Sequence, residues 1–492
     1  MESKTRLTED AVRPNGNRSL PFGLMRMVKV QMERLGLSGF LDGLKTKGVP
    51  LSTVVGVMCV YQLNGGSSMN ECGDWVSDPI ATEKLCGGKR ISNKTIGRAL
   101  DILSVYFDDV LEVIWNGINR CYDITETNVI IDGSHIPLNG VKSKLSAYGY
   151  GNGKVQNQIQ FMVAQLRSPP LPFRIETYAG NVSDSEQFAH FLPMVIGYLK
   201  KGSVITMDNG GAVREILKDI KDSGMEYVTR VKMNDNDDEW IEESVSEFVC
   251  IDGDACGVSH TFKDSDRTVY LFFSADKYFR KVNSAEKKAE KLASIAIENL
   301  YTNRKKPRES DFVIRRRNPY AGVDVRVGVQ KLLDPFDPED NMKAVDELIG
   351  DRCGYFKLES SFPMDLATAL EVYRSRIAVE HLISSIKSVV KLKPLRVWKT
   401  ASVNGALLLA LTAQLLVSLT IVDLKGTEIE RNIHGKRVKT ISKPSPRTVA
   451  ESLGQLTVTY LEGGKSNAGV IFSNFDALNS EIMSILDVLE TF

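Results

Sequence analysis

Three acidic residues stand where a chain places groups that do chemistry. Asp132 follows the apolar run Val129-Ile130-Ile131, and Asp208 follows Val204-Ile205-Thr206-Met207. Short apolar, β-branched runs read as buried strands. Each aspartate is therefore expected to close a strand, at the edge of a sheet where ligands gather in open α/β folds. Asp132-Gly133 and Asp208-Asn209-Gly210 are also turn sequences, so a strand-terminal Asp opening a turn explains either one alone. The third carboxylate, Glu380, lies in EVYRSRIAVEHLISSIKSVVK, where Tyr373, Arg376, Glu380 and Lys387 stand at offsets zero, three, seven and fourteen. At about 100° per residue these share an arc of roughly 60° on one unbroken helix. Val372, Val379, Leu382, Ile386 and Val390 occupy a separate arc suited to a core. One stripe thus carries a hydroxyl, a guanidinium, a carboxylate and an ammonium. A solvated amphipathic face with incidental charge pairs has the same spacing.

The elements that must position these groups form an ordered series. Residues 1–127 read as an all-helical N-terminal domain, from LPFGLMRMVKVQMERLGL to SNKTIGRALDILSVYFDDVLEVIWNGI. Within it Ser92 is an expected N-cap, and Lys94 and Arg98 fall in the first two turns of the helix it opens. That pattern suits a DNA recognition helix, and equally an ordinary capped surface helix. Residues 128–232 give three strands, a helix, a strand, a helix and a strand. Residues 233–355 begin with the charged loop NDNDDEW and continue as short strands around one charged helix, a β-rich insertion. Residues 356–424, in which helical pattern returns from Pro363 through Val422, complete the core, and 425–492 is a basic C-terminal region. The uncharged stretch Asn404–Val422 has about the length of a membrane span. Its Asn404, Thr412, Gln414, Ser418 and Thr420 favour a buried core helix instead.

With 492 residues, 42% of them apolar, the chain can fill two or three cores. Sixty-two basic residues balance 62 acidic ones, so a nucleic-acid surface must come from local clusters. Two such clusters exist, residues 304–317, including Arg315, Arg316 and Arg317, and residues 425–447; each has seven basic residues against two acidic, a net of +5. Each suits phosphate contact or a merely solvated face. Seven scattered cysteines without a CxxC pair fit a reduced, cytosolic chain, and the polar N-terminus gives no reason to expect export. Gly149–Lys154 is followed by Val155 and lacks the Ser or Thr of a phosphate loop, so a turn is expected there.

Tyr, two residues, Arg, three residues, Glu, six residues, Lys is similar, residue for residue, to the signature around the catalytic glutamate of one large group of DDE transposases of bacterial and archaeal insertion sequences. The resemblance also takes in Asp132, Asp208, the segment Tyr178-Ala179-Gly180-Asn181-Val182-Ser183-Asp184, the strand YVTRVKMN, and Lys393-Pro394 with Trp398. It covers about residues 125–425. After Asp208 this chain has Asn209 where relatives often carry a basic residue. The resemblance implies an α/β ribonuclease-H-like catalytic core interrupted by an insertion, and the 172 positions from Asp208 to Glu380 leave room for one. It further implies that Asp132, Asp208 and Glu380 are catalytic and hold two Mg2+ ions, for which Mn2+ can substitute. Asp132 is expected to bridge them.

The implied reaction is cleavage and transfer of DNA strands at the terminal inverted repeats of a mobile element, with a second duplex as target. Two ions about 4 Å apart would stabilise both attacking and leaving oxygens at phosphorus, and carboxylates are the donors that magnesium prefers. Tyr373, Arg376, Lys387, Lys94, Arg98 and Arg315–Arg317 are the expected DNA contacts, with a homodimer in the synaptic complex and no membrane partner. Trp240 stands in the insertion where relatives stack a flipped base; a core tryptophan is its plainer reading. A ribonuclease-H-like nuclease without strand transfer and a domesticated DNA-binding protein are the competing readings.

Overall fold

The computed structural model describes residues 18–138, 143–151, 153–262, 266–303, 313–317, 324–328, 345–346, 348–427, 429–433, 436–440, 444–461 and 470–490. For 313–317, 324–328, 430–433, 436–440 and most of the second half of the Ala275–Asn303 helix, the backbone alone is described. The fold is mixed α/β and divides into two compact units. One comprises Met1–Ile205 with Ser375–Phe492, and the other Thr206–Arg374.

In the first unit seven helices lie between Phe22 and Cys121 among the described residues, but the N-terminal part is not all-helical, because the strand Arg18–Leu20 before them pairs with Thr457–Tyr460 from the far end of the chain. Ser92 caps the helix Asn93–Val105, accepting from the Thr95 amide while the Thr95 side chain returns to the Ser92 amide. Its buried Ile96, Ala99, Leu100 and Leu103 form the face that meets the long helix Thr400–Asp423. The crossing is close because position 405 is glycine: a Cβ there would lie 2.1 Å from the Leu100 carbonyl oxygen. That long apolar helix is a core helix, with 89% of its most apolar stretch buried. Its polar side chains are satisfied internally, Thr412 donating to the Leu408 carbonyl, Thr420 to Leu416, and Gln414 joining Ser385 and Ser418. At its end Asp423 accepts from Gln31, Arg34 and Tyr122 at 2.6–2.9 Å.

The sheet of this unit is built around the thirteen-residue strand Lys154–Leu166. Along one edge it pairs antiparallel with Val129–Pro137, and along the other with Ala147–Gly151 and then Pro172–Ala179. The glycine-rich segment expected as a turn is largely strand instead: Gly149–Gly151 end the short strand Ala147–Gly151 and Lys154 opens the long one, with Gly153 in a turn. Gly180 lies against this sheet, where an added Cβ would stand 2.2 Å from the Gln158 carbonyl oxygen. Its own carbonyl accepts from Gln158 and Gln160. Ser183 then caps the helix Asp184–Ile196 through a capping box with Glu186. These contacts explain the glycine and the serine of the Tyr178–Asp184 segment.

The second unit holds the helix Arg214–Asp222 and an antiparallel sheet. Glu226–Val231 pairs with Tyr355–Ser360, which pairs with Thr268–Ser274, then Ala255–Thr261 and Val249–Cys250. Tyr270, Phe272, Phe356, Leu358, Ala369 and Leu370 form its core. The short strands Val313–Arg317 and Asp324–Gly328 pair with each other. The charged run Asn234–Trp240 is a loop only at its start, since Asn236–Ser244 is a helix. Asp237 explains this: it accepts from the Asn234 amide and pairs with buried Lys357 at 2.7 Å, which fixes the first turn.

Two further sequence expectations are corrected. Asp132 does not close its strand, because Val129–Pro137 runs on through it. The neighbouring strand is long enough to offer ladder partners beyond the aspartate, from Gly133 opposite Met162 to Pro137 opposite Gln158. Backbone pairing overrides the turn preference of Asp-Gly. The stripe from Tyr373 to Lys387 is not on one helix. Leu366–Arg374 and Ile377–Ser388 are separate helices, joined by a turn at Ser375-Arg376. The break falls between two arginines anchored to different units, Arg374 to Asp252 and Asp254, and Arg376 to Asp132.

Candidate active site

Strand alternation points Asp132 and Ser134 to the same face of Val129–Pro137, and the helix Ile377–Ser388 packs against this strand. Val379, Leu382, Ile383 and Ile386 are its buried face, which leaves Glu380 and Lys387 at the margin of the contact. Asp132 Oδ1 accepts from the Gly133 amide at 2.9 Å. The Arg376 guanidinium, 14% exposed, donates from Nη1 to Asp132 Oδ2 at 3.2 Å and from Nη2 to Glu380 Oε1. Asp132 and Glu380 therefore converge on a single cation. Further along, Lys387 Nζ donates to Ser134 Oγ at 2.5 Å and lies 5.8 Å from the Phe161 ring centre. Burial, assisted by Lys393, lowers the Lys387 pKa to about 8 against the opposing pull of Asp132. The ammonium is half-buried beside Asp132, and its partial loss of water is what lowers its pKa.

In the second unit Asp208 directly follows the strand Val204–Met207 and opens the 3-10 turn Asn209–Gly211. Its carbonyl accepts from the Gly211 amide at 3.0 Å and from Thr229 Oγ1 at 3.4 Å. Lys277 is a nearby cation that the sequence did not single out. Burial, Arg230 and Lys281 push its pKa down to about 8, with Cys353 and Asp208 acting in opposition. Its Nζ donates to the Tyr355 carbonyl and lies 4.8 Å from the Phe356 ring centre. It stands 69 positions from Asp208 on a helix that reads as an ordinary charged one, so only folding reveals it.

Trp240 is half-buried and lines a cleft of ≈ 1210 Å³ within the second unit, together with Asn209, His260, Phe262 and Arg267. Asn209 is the residue after Asp208, so the cleft begins next to that acid. Its wall is held by paired charges, Lys357 with Asp237 and Arg267 with Glu359 at 3.1 Å. Tyr373 lies in the same unit, half-buried against Phe356 with ring centres 6.3 Å apart. Lys94 and Arg98 are exposed, on the side of their helix opposite the buried face. Arg315, Arg316 and Arg317 lie on a described strand, but their side chains and residues 304–312 are outside the described residues. In the other basic cluster Lys425 and Arg447 are exposed, and Lys443 is outside the described residues.

Among the described residues no three His, Cys, Asp or Glu side chains converge as a ready metal cluster. Asp132 and Glu380 nonetheless fit a hard cation: both are oxygen donors, and both already turn toward one positive group. Ser134 and Lys277 were the residues missed by sequence reasoning. A signal existed only for Ser134, two positions from Asp132 on the same strand face.

The transposase DDE domain model matches residues 125–416, a span that contains Asp132, Asp208 and Glu380. No curated protein matches the chain in sequence. A similar solved structure is the cryo-EM structure of the piggyBac transposase synaptic complex with hairpin DNA, 11% identical, with a TM-score of 0.40, covering 91% of this chain and 82% of that one. The family match extends over more than half of the chain, which therefore belongs to the DDE transposase family.

Proposed function

We propose that this protein is a DNA transposase of the insertion-sequence kind, which binds the terminal inverted repeats of its element and catalyses cut-and-paste transposition. The observation that carries this reading is the convergence of Asp132 and Glu380 on one cation, inside the segment that matches the family. Asp132, Asp208 and Glu380 would hold Mg2+ or Mn2+ in a ribonuclease-H-like core. The metal, when bound, supplies charge stabilisation to an in-line displacement at a DNA phosphate. Lys387, held by Ser134, would bind a nonbridging phosphate oxygen, with Arg376 on the backbone beside it, and Tyr373 would make a separate DNA contact. Residues 1–127 would recognise the element's ends through the exposed Lys94 and Arg98. Residues 233–355 would act as an insertion whose Trp240 stacks on a displaced base, and 425–492 would add phosphate contacts. A homodimer in the synaptic complex and a cytoplasmic, nucleoid-associated location complete the proposal.

The test begins with the DNA flanking the gene. Duplexes bearing any flanking inverted repeats are incubated with the protein and Mg2+, and products are resolved on denaturing gels with a second duplex present. Metal-dependent nicking at the repeat boundary followed by joining to the second duplex is expected. Nicking without joining would leave a nuclease, and binding without nicking would remove the catalytic assignment.

A further inference from the structure

We propose that Arg376 is an exchangeable counter-ion: its guanidinium occupies the cation position between Asp132 and Glu380 until a divalent metal displaces it, and it is then available to a DNA phosphate. This deepens the metal-dependent reading above and rests on it.

The geometry carries the argument. Two carboxylates aimed at one point repel each other unless a cation stands there. The planar fork of arginine satisfies both at once, Nη1 on Asp132 and Nη2 on Glu380. Arg376 lies in the turn just before the helix Ile377–Ser388, and it is four residues before Glu380 on the chain. Its side chain is 14% exposed, against 21% for Asp132 and 49% for Glu380, so the guanidinium is the most enclosed member of the trio. A metal reaching the same oxygens removes the reason for the guanidinium to stay, because three positive charges would then face two negative ones. A freed guanidinium beside the site keeps its charge at any working pH and matches phosphate geometry. Metal loading would thus create a phosphate-binding group, and by linkage a bound phosphate that holds Arg376 away would favour the metal.

The experiment is Mn2+ binding to the full chain without DNA, followed by electron paramagnetic resonance of the free ion. Arg376→Gln should bind Mn2+ at least about fivefold more tightly than the wild type, the lower end of ordinary coupling between sites. Arg376→Lys, which keeps the charge but loses the fork, should fall between them and serves if the glutamine variant does not fold. Lys387→Met removes a charge held on Ser134 instead, and should tighten binding less than Arg376→Gln. Equal or weaker Mn2+ binding by both Arg376 variants would overturn the exchange. Asp132→Asn and Glu380→Gln test the underlying site separately. If these leave Mn2+ affinity unchanged, the metal reading falls, whatever Arg376 does.

Discussion

Asp132 and Asp208 are both preceded by an apolar run and both have a half-buried lysine pushed to about 8 near them, yet the described contacts that hold them differ. Asp208 is placed by backbone: a strand ends, a 3-10 turn begins, and its carbonyl is tied to Gly211 and Thr229. Asp132 is placed by charge, inside a strand that continues past it, with Arg376 arriving from a segment 244 positions away. An acid fixed by a counter-ion shares its loss with the partner, because a buried guanidinium left behind is costly.

The largest expected effect breaks the two aspartates in parallel. Asp132→Asn and Asp208→Asn should each reduce end cleavage by at least about a hundredfold, since an amide keeps the shape but loses the charge that metal requires. Thermal or urea unfolding of Asp132→Asn should then read the loss of the Arg376 contact. Asp132→Asn is expected to lose about 1–3 kcal/mol as the Arg376 hydrogen bond weakens. Substantial cleavage by either variant would sink the assignment, and an Asp132→Asn protein as stable as the wild type would remove Arg376 as the group that holds Asp132.

An intermediate effect concerns the two lysines. Lys387 and Lys277 have folded pKa values of about 8, below the ordinary lysine value. As pH rises from about 8 toward about 10.4, the unfolded chain holds protons that the folded one has released, so stability should increase across that window. Lys387→Met and Lys277→Met should each flatten that increase. For Lys387 the same loss of charge should weaken end binding as pH passes about 8, with the salt-dependence slope shallower by about one in Lys387→Met. Unchanged pH–stability curves in both variants would show that neither lysine is perturbed.

The smallest effect sharpens the role of the cleft beside Asp208. Trp240→Ala should leave folding and first-strand nicking near normal but weaken steps that need a displaced base, by about 1–3 kcal/mol of stacking. Fluorescence of 2-aminopurine placed at the cleavage boundary reads base displacement directly. A signal identical in wild type and variant would remove Trp240 from that role.

Local chemistry made several parts legible in advance. The Ser92 cap, most of the alternating series of strands and helices from Val129 to Val231, though not the short strand Ala147–Gly151, and Asp208 at its strand end all follow from residues within a few positions of one another. The polar content of the Thr400–Asp423 helix also pointed correctly to a core, where its hydroxyls bond carbonyls one turn back. The break at Ser375-Arg376 was not legible, because heptad-like spacing runs through it without glycine or proline.

By itself the sequence determined which side chains carry charge, where many of the strands and helices start, and the match to the transposase DDE domain. Only the tertiary structure decided that the strand continues past Asp132, since its ladder partners Met162 to Gln158 come from a different segment. Folding likewise decided that Arg376 bridges two carboxylates, and that Lys387 and Lys277 are buried enough to sit near the edge of neutrality. Electrostatic partnership and desolvation depend on what surrounds a group in space, and residues hundreds of positions apart supply those surroundings.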